Sequence, residues 1–288
     1  MNTVNRFLIG VLIVLVVVLG GVFLWQRSNS RPQTPTITAT PSTQPVTPST
    51  QTPTTPEARQ KLQAALDLKT QKKWADARNA LRQWLTDNPK SDLVADAEKA
   101  LGEIDIQIVM TPVPAPEKVD YTIQKGDKLA TIARKYNTTI ELIQKANHLS
   151  GSVIRPGDRL RIYQAKFSVI VNKTDNWLLL LDDGKFFKRY RCGTGQYGLT
   201  PVGDFKIVDR IPNPPWWKDG KVIPFGDTNN VLGTHWLKLD VPGYGIHGTW
   251  QPDSIGKQSS AGCVRLLNEE VAELFTMLPY GTPVTINE

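Results

Sequence analysis

The spacing of apolar positions changes several times along the chain, and each change marks an element or a boundary. Residues 7–25 are nineteen consecutive uncharged, mostly apolar side chains. At 1.5 Å per residue, such a run is about long enough to cross a ~30 Å hydrocarbon core as a helix. It exceeds the apolar region of a cleavable signal, and no Ala-x-Ala pattern follows it. The pattern therefore predicts a signal anchor or transmembrane helix over residues 1–27, with a cleaved signal or a buried helix as alternatives. Arg6 and the amino terminus face Arg27 and Arg31 across the run, so charge nearly ties on orientation. Residues 28–56 hold seven Pro, ten Thr and four Ser, a composition that buries no apolar surface and predicts an extended linker.

From residue 57 to 110 the spacing becomes helical. Leu62, Leu66 and Leu68 suit a first helix, and Trp74, Ala77, Leu81, Trp84 and Leu85 a second. Leu93, Val94, Ala97, Leu101, Ile104 and Ile108 suit a third. The stretch from Lys73 to Pro89 resembles one tetratricopeptide-type hairpin, too little for an autonomous array. The segment reads as a small spacer bundle or as a docking module for a protein partner. Residues 111–119, rich in proline, predict a second linker. Residues 120–163 then read strand, helix, helix, strand. Residues 166–288 alternate as a mainly-β domain, with strands expected at 167–171, 177–181, 186–192, 203–208, 222–225, 236–239, 245–247 and 283–286. One helix is expected there, N-capped by Asn268 and ending before Pro279.

Charge redirects this reading. The formal +7 would suit a nucleic-acid binder. Resolved by segment, three Arg and no acid lie in residues 1–56, and residues 57–119 balance at ten against ten. Residues 120–163 hold eight basic against four acidic side chains, and residues 164–288 balance at thirteen each. There is no broad basic face, so no nucleic-acid partner is expected. The sequence also shows no metal-ligand cluster, phosphate loop or nucleotide fingerprint, so neither metal nor cofactor is expected.

The candidate chemistry sits near the C-terminus. Two cysteines, Cys192 and Cys263, cannot build a disulfide framework; they form one bridge, or are one buried and one reactive thiol. Ile246-His247-Gly248-Thr249 and Ser260-Ala261-Gly262-Cys263-Val264-Arg265 place one His and one Cys on glycine-bearing strand ends. A thiol with a pKa of about 8.5 is mostly protonated at neutral pH. A neighbouring imidazole can take its proton, and backbone N–H groups beside it can hold an oxyanion.

Two resemblances sharpen this. Tyr121, Gly126, Asp127, Leu129, Ile132, Ala133, Asn147, Ile154, Pro156, Gly157 and Leu160 resemble the pattern of a LysM domain over 120–163. That implies binding of N-acetylglucosamine-containing polymers such as peptidoglycan, near Gly126, Asp127, Lys128, Asn147, His148 and Leu149. Residues 166–288 resemble the L,D-transpeptidase (YkuD-like) catalytic domain. The resemblance is carried by Gly193-Thr-Gly195, Thr200-Pro201, Pro214-Pro215-Trp216-Trp217, Gly245-Ile-His247-Gly248-Thr249 and the cysteine motif. It implies Cys263 as nucleophile, His247 as base and the Gly248 carbonyl as its orienting group. It further implies an oxyanion hole from Gly262, Cys263 and Ala261, and substrate contacts from Arg265, Ser260, Tyr244, Trp216, Trp217 and His235. Two departures are Ala261, where many relatives carry His, and His235, where Arg is more usual. The resemblance leaves Cys263 free and Cys192 as inert packing.

The implied fold is multidomain: anchor, helical segment, α/β LysM module and mainly-β catalytic domain. The implied activity is peptidoglycan 3-3 cross-linking or protein attachment in the cell envelope, with a role in wall biogenesis and cell shape and sensitivity to carbapenems. Rival readings are an L,D-carboxypeptidase using water, or a non-catalytic LysM tether. The implied location is single-pass and membrane-anchored through residues 7–25, with the catalytic domain extracytoplasmic.

Overall fold

A computed structural model describes residues 52–288. The expected anchor and nearly all of the Pro/Thr linker lie outside these residues. Among the described residues no helix is long and apolar enough to cross a membrane.

Helix α1, Pro56–Thr70, starts at Thr55, whose hydroxyl accepts the Ala58 N–H at 3.2 Å, with Pro56 as the first helical residue. That is a favoured helix start, because the cap satisfies one orphan donor and proline lacks another. Helices α2, Trp74–Asp87, and α3, Val94–Met110, follow, each packed against the one before it. The Trp84 indole donates to the Ala58 carbonyl at 2.7 Å, tying α2 to α1. A buried carboxylate, Asp105 of α3, lies 3.4 Å from Arg82 and 3.7 Å from Arg78. Burial pushes its carboxyl up to about 7, against the pull of the two arginines.

The helices are not a free-standing spacer. Helix α3 lies on a strand of the C-terminal domain, and Leu101, Ile104 and Ile108 share one core with Val169, Leu178 and Phe187. Gly102 allows the approach: a Cβ there would sit 2.9 Å from Lys188 Cγ. Arg189 binds Glu98 through two bonds of 2.8 and 3.1 Å at the same contact.

The LysM segment has the expected order. Strand β1, Lys118–Thr122, and helices α4, Leu129–Lys135, and α5, Ile140–Ala146, precede β2, Arg159–Tyr163, which pairs antiparallel with β1. Its core of Ile123, Leu129, Ile132, Ala133, Ile143, Leu160 and Ile162 is its own.

Next come β3, Phe167–Asn172, β4, Trp177–Asp182, β5, Lys185–Arg191, β6, Thr194–Gly195, and β7, Gly203–Pro212. They are followed by β8, Trp216–Lys218, β9, Lys221–Ile223, β10, His235–Leu239, β11, Gly245–His247, β12, Gln258–Ser260, and β13, Val264–Arg265. Helix α6, Asn268–Met277, and β14, Pro283–Asn287, complete the chain. Eight strands form one sheet in the order β13-β11-β10-β7-β14-β3-β4-β5, parallel only at β11/β13 and β3/β14. Small two-stranded sheets β12/β6 and β8/β9 lie beside it.

The helix start differs from expectation. Leu267 is the N-cap and Asn268 the first helical residue. The Asn268 carboxamide oxygen instead accepts the Thr234 N–H at 3.0 Å, and Glu270 takes the Leu267 N–H at 3.1 Å. Tertiary pairing with the neighbouring turn outweighs local capping at this position.

Candidate active site

The sheet brings His247 and Cys263 to adjacent strands. His247 ends β11, and Cys263 directly precedes β13, whose Val264 and Arg265 pair with Ile246 and His247. The Leu266 N–H closes this short parallel ladder on the His247 carbonyl at 2.9 Å.

His247 is 2 % exposed and stacks on Trp236, its cross-strand partner on β10, with ring centroids 5.4 Å apart. Its Nδ1 lies 2.6 Å from the Gly248 carbonyl. A carbonyl can only accept, so Nδ1 carries the proton and Nε2 is left as a bare acceptor. Burial lowers the imidazole pKa to about 4, although the Gly248 and Leu232 carbonyls pull it up; the Arg265 charge lowers it further. The ring is therefore neutral at pH 7.

Cys263 is partly exposed, and its thiol lies 3.5 Å from the Gly243 carbonyl. Burial raises its pKa; the Gly245 N–H and Arg265 pull it down. At rest the site thus holds a thiol and a neutral imidazole on neighbouring strand ends, with the thiol against the Gly243 carbonyl, and not a preformed ion pair. Cys192 is also free but fully buried, and burial pushes its thiol up to about 12, as expected of packing.

The loop before Cys263 is held from two sides. Ser260 Oγ donates to the Cys263 carbonyl at 2.7 Å and accepts the Gly262 N–H at 3.0 Å. Thr200 Oγ1 donates to the Gly262 carbonyl at 2.9 Å while accepting the Gly195 N–H at 2.7 Å. Gly262 has φ +126°, and a Cβ there would meet the Tyr244 ring at 2.6 Å. The position therefore demands glycine. This differs from expectation at one donor: the Gly262 N–H, expected in the oxyanion hole, is turned inward onto Ser260. The N–H groups of Ala261 and Cys263 donate to no acceptor among the described residues.

A cleft of about 410 Å³ opens at Cys263, lined among others by Ala261, Trp216, Trp217, Trp236, Asp209 and Lys238. Trp216 and Trp217 sit on the β8/β9 hairpin, and Trp217 is 72 % exposed. They are cleft residues, not core aromatics.

Other expected contacts fall elsewhere. Ser260 is buried in the loop knot, and Tyr244 packs on Gly262. Arg265 keeps a buried Nε without a hydrogen-bond partner among the described residues. His235 points away from the cleft: alternation along β10 sends Trp236 to it and His235 onto Phe275 of α6, ring centroids 4.6 Å apart. Burial lowers the His235 pKa, consistent with that packing.

In the LysM segment, Gly126 makes the turn after β1 with φ +92°. Asp127 accepts the Tyr121 hydroxyl at 2.7 Å and the Gln124 N–H at 2.8 Å. Asn147 spends its carboxamide on Ile143 and on both backbone groups of Arg161. Leu149 packs on the segment's core, whereas Lys128 and His148 are exposed. Asp127 and Asn147 thus brace the two loops through their side chains, leaving Lys128, His148 and backbone groups open.

Two supporting residues had little signal of their own. Thr200 belonged to a recognised Thr-Pro pair, but its bond to Gly262 spans 62 positions. Asn268 was readable only as a cap. Its side chain wedges against Gly248 and Gly233, at both of which a Cβ would collide with Asn268 Oδ1, so it backs the residue whose carbonyl orients His247.

Residues 166–286 match the YkuD model, the L,D-transpeptidase catalytic domain, and residues 121–162 match the LysM domain. YkuD of Bacillus licheniformis is 34% identical over 174 residues, covering 58% of this chain and 97% of that protein. YqjB of Bacillus subtilis is 41% identical over 126 residues, 42% of this chain and 70% of that protein. Both carry the name "Putative L,D-transpeptidase". Among solved structures, an L,D-transpeptidase from Mycobacterium smegmatis aligns with TM-score 0.38 and 20% identity, covering 46% of this chain and 64% of that one.

Proposed function

The chain belongs to the YkuD family of L,D-transpeptidases and carries a LysM domain, and on that premise we propose that it is a cysteine-dependent peptidoglycan L,D-transpeptidase. The observation that carries the reading is His247 on the strand beside Cys263, with Nδ1 fixed by Gly248 and the thiol open to a tryptophan-lined cleft.

In this reading His247 Nε2 takes the thiol proton as sulfur attacks the carbonyl of the third, L-centred residue of a stem tetrapeptide. A neutral imidazole of low pKa is a weak base, so proton transfer and attack are expected to be concerted. The Cys263 N–H, with Ala261 N–H beside it, receives the developing oxyanion; Gly262 serves by holding the loop rather than by donating. The C–N bond to the terminal D-alanine breaks, its nitrogen takes the proton back from His247, and a Cys263 thioester remains. An acceptor amine attacks the thioester, loses its proton to His247 and expels the thiol, giving a 3-3 cross-link or a protein attachment. Trp216 and Trp217 cover the donor peptide, and Arg265 orders the site.

The LysM domain would hold glycan strands through its Gly126–Asp127–Lys128 and Asn147–His148–Leu149 loops, and residues 7–25 would keep the enzyme at the envelope membrane. Intact-protein mass after incubation with a carbapenem tests the chemistry: one adduct is expected, absent in Cys263→Ala. An adduct that persists in Cys263→Ala, or no adduct at all, refutes the assignment. Tetrapeptide muropeptides should give dimers; tripeptides without dimers would make water the acceptor.

A further inference from the structure

A cavity of about 480 Å³ lies where the LysM segment meets the catalytic domain, and nothing in the chemistry above uses it. It meets the turn that joins α4 to α5, whereas the two expected glycan loops precede α4 and follow α5. It is also across β7 from the thiol: Arg210 lines this cavity, while its neighbours Asp209 and Ile211 line the cleft at Cys263. Its size suits a single sugar or the end of a short peptide rather than a glycan strand.

The charged side chains on its wall are Arg134 of α4, Glu141 of α5 and Arg210 of β7, a net of one positive charge. The Arg210 side chain is 8 % exposed. Its Nη2 is spent on Glu141 at 3.2 Å and on the Phe275 carbonyl, and the guanidinium lies 4.3 Å over the Phe275 ring. Nε is enclosed without a partner. Nη1 also donates to no acceptor among the described residues, but it is not enclosed, so it is the edge that Arg210 offers to the cavity. A donor held this firmly has little side-chain freedom left to lose when an acceptor arrives. Arg134 is exposed and forms no ion pair among the described residues.

Two guanidinium groups on one wall suit the planar oxygens of a carboxylate. Glu141 sets the limit on charge. It offsets one of the two arginines, and a phosphate, with a charge of roughly −1.5 to −2, would meet it as a like charge. The remaining single positive charge matches a monocarboxylate. The rest of the wall is largely apolar, with Pro212, the buried Phe275 and the Tyr280 ring, which is 59 % exposed. Such surfaces hold a methyl group or the C–H face of a sugar beside the anion.

We propose that this junction cavity is a second wall-binding site, for a free carboxylate on a methyl-bearing carbon. Arg134 and Arg210 Nη1 take the carboxylate, and the methyl group and the body behind it lie against Pro212 and Tyr280. Two groups of peptidoglycan present that chemistry: the lactyl ether of muramic acid stripped of its peptide, and a stem that ends in D-alanine. The inference rests on the peptidoglycan reading for the source of the ligand.

The test is calorimetric titration of the full chain with N-acetylmuramic acid and with N-acetyl-L-alanyl-D-alanine. Each is set against its neutral counterpart, N-acetylglucosamine and the dipeptide amide. At least one acid is expected to bind about tenfold or more tighter than its counterpart, the scale of a charge-assisted hydrogen bond, and the acid that does so names the source. Arg134→Gln should shrink that advantage to within about threefold, and Tyr280→Ala should weaken the same acid about threefold or more. Both positions are exposed and neither lines the cleft, so carbapenem acylation of Cys263 should keep its wild-type rate in both variants. Equal binding of acids and counterparts, or an advantage that survives Arg134→Gln, overturns the proposal, and so does inorganic phosphate binding tighter than either acid. None of these results touches the transpeptidase reading, which falls instead if no carbapenem adduct forms, whatever the titrations give. Should Arg134→Gln fail to fold, undiminished binding of the acid by Tyr280→Ala overturns the proposal.

Discussion

Replacing Thr200 with valine keeps the shape of the side chain and removes one hydroxyl. Thr200 is 1 % exposed, and its hydroxyl accepts the Gly195 N–H at 2.7 Å and donates to the Gly262 carbonyl at 2.9 Å. Valine leaves one buried donor and one buried acceptor without partners, each worth about 1–3 kcal/mol, so roughly 2–6 kcal/mol of stability is lost. For a domain of this size a kcal/mol moves the midpoint by about 2–4 °C, which puts the drop near 10 °C. The backbone cannot relax freely to repair the loss: a Cβ on Gly195 would already stand 2.8 Å from Gly262 Cα. Because the freed carbonyl lies one residue before the nucleophile, acylation of Cys263 by a carbapenem should slow at least tenfold at temperatures where the variant stays folded. Thermal unfolding and the rate of mass gain measure the two effects. Thr200→Ser, which keeps both bonds, should lose only about 1 kcal/mol. If valine and serine variants melt within 2 °C of each other, as a rough threshold, and acylate at the same rate, the hydroxyl does not brace the loop.

Gly262→Ala must accept φ +126° and a 2.6 Å contact with the Tyr244 ring, so its acylation should fall at least a hundredfold while circular dichroism remains native. A folded, fully reactive variant would contradict the close approach. The rate of Cys263 acylation should be level between pH 6 and 7, because burial holds His247 to about 4; an inflection near 6.5 would mean an exposed histidine. For Asp105 the folded pKa of about 7 lies above the ordinary carboxylate value, so the folded state binds the extra proton. Its stabilising contribution is complete below about pH 4 and is lost as pH rises through 7. The melting temperature of Asp105→Asn should therefore gain on the wild type between pH 5 and 8, and a difference independent of pH would remove the buried carboxylate from this account.

What the sequence disclosed depended on the range over which each interaction acts. Alternation and turn residues located most long strands to within a residue or two, since both are local. The strands that were missed, β6, β8, β12 and β13, are two or three residues long, and pairing rather than pattern makes them. The same limit governs the site. Cys263 and His247 were readable because their glycines and neighbours form a dense local motif. The inward turn of the Gly262 N–H depends on a serine two residues away and on a backbone angle that no letter encodes. His235 was read from its motif position, but the parity of β10 decides its direction, and the opposing Phe275 ring takes it. The helical segment read as separate because its periodicity is complete in itself; the apolar positions of α3 do not say which neighbour they cover, and the contact with β5 shows only where Gly102 admits Lys188 and Glu98 binds Arg189.

Strand β7 links the two halves of the proposed activity physically. Its odd residues Asp209 and Ile211 line the cleft at Cys263. Arg210, between them, faces the other way: its guanidinium bonds Glu141 of the LysM helix α5 at 3.2 Å, bonds the Phe275 carbonyl of α6, and lies 4.3 Å over the Phe275 ring. Thr139, which caps α5, donates to the Thr276 carbonyl of α6. The LysM module is thus bolted to the back of the strand that lines the cleft, and helix α6, through Asn268, also backs the Gly248 turn that aims His247. Under the proposed function, a glycan strand held by a module fixed in this way would present its stem peptides to Cys263 from a limited set of positions.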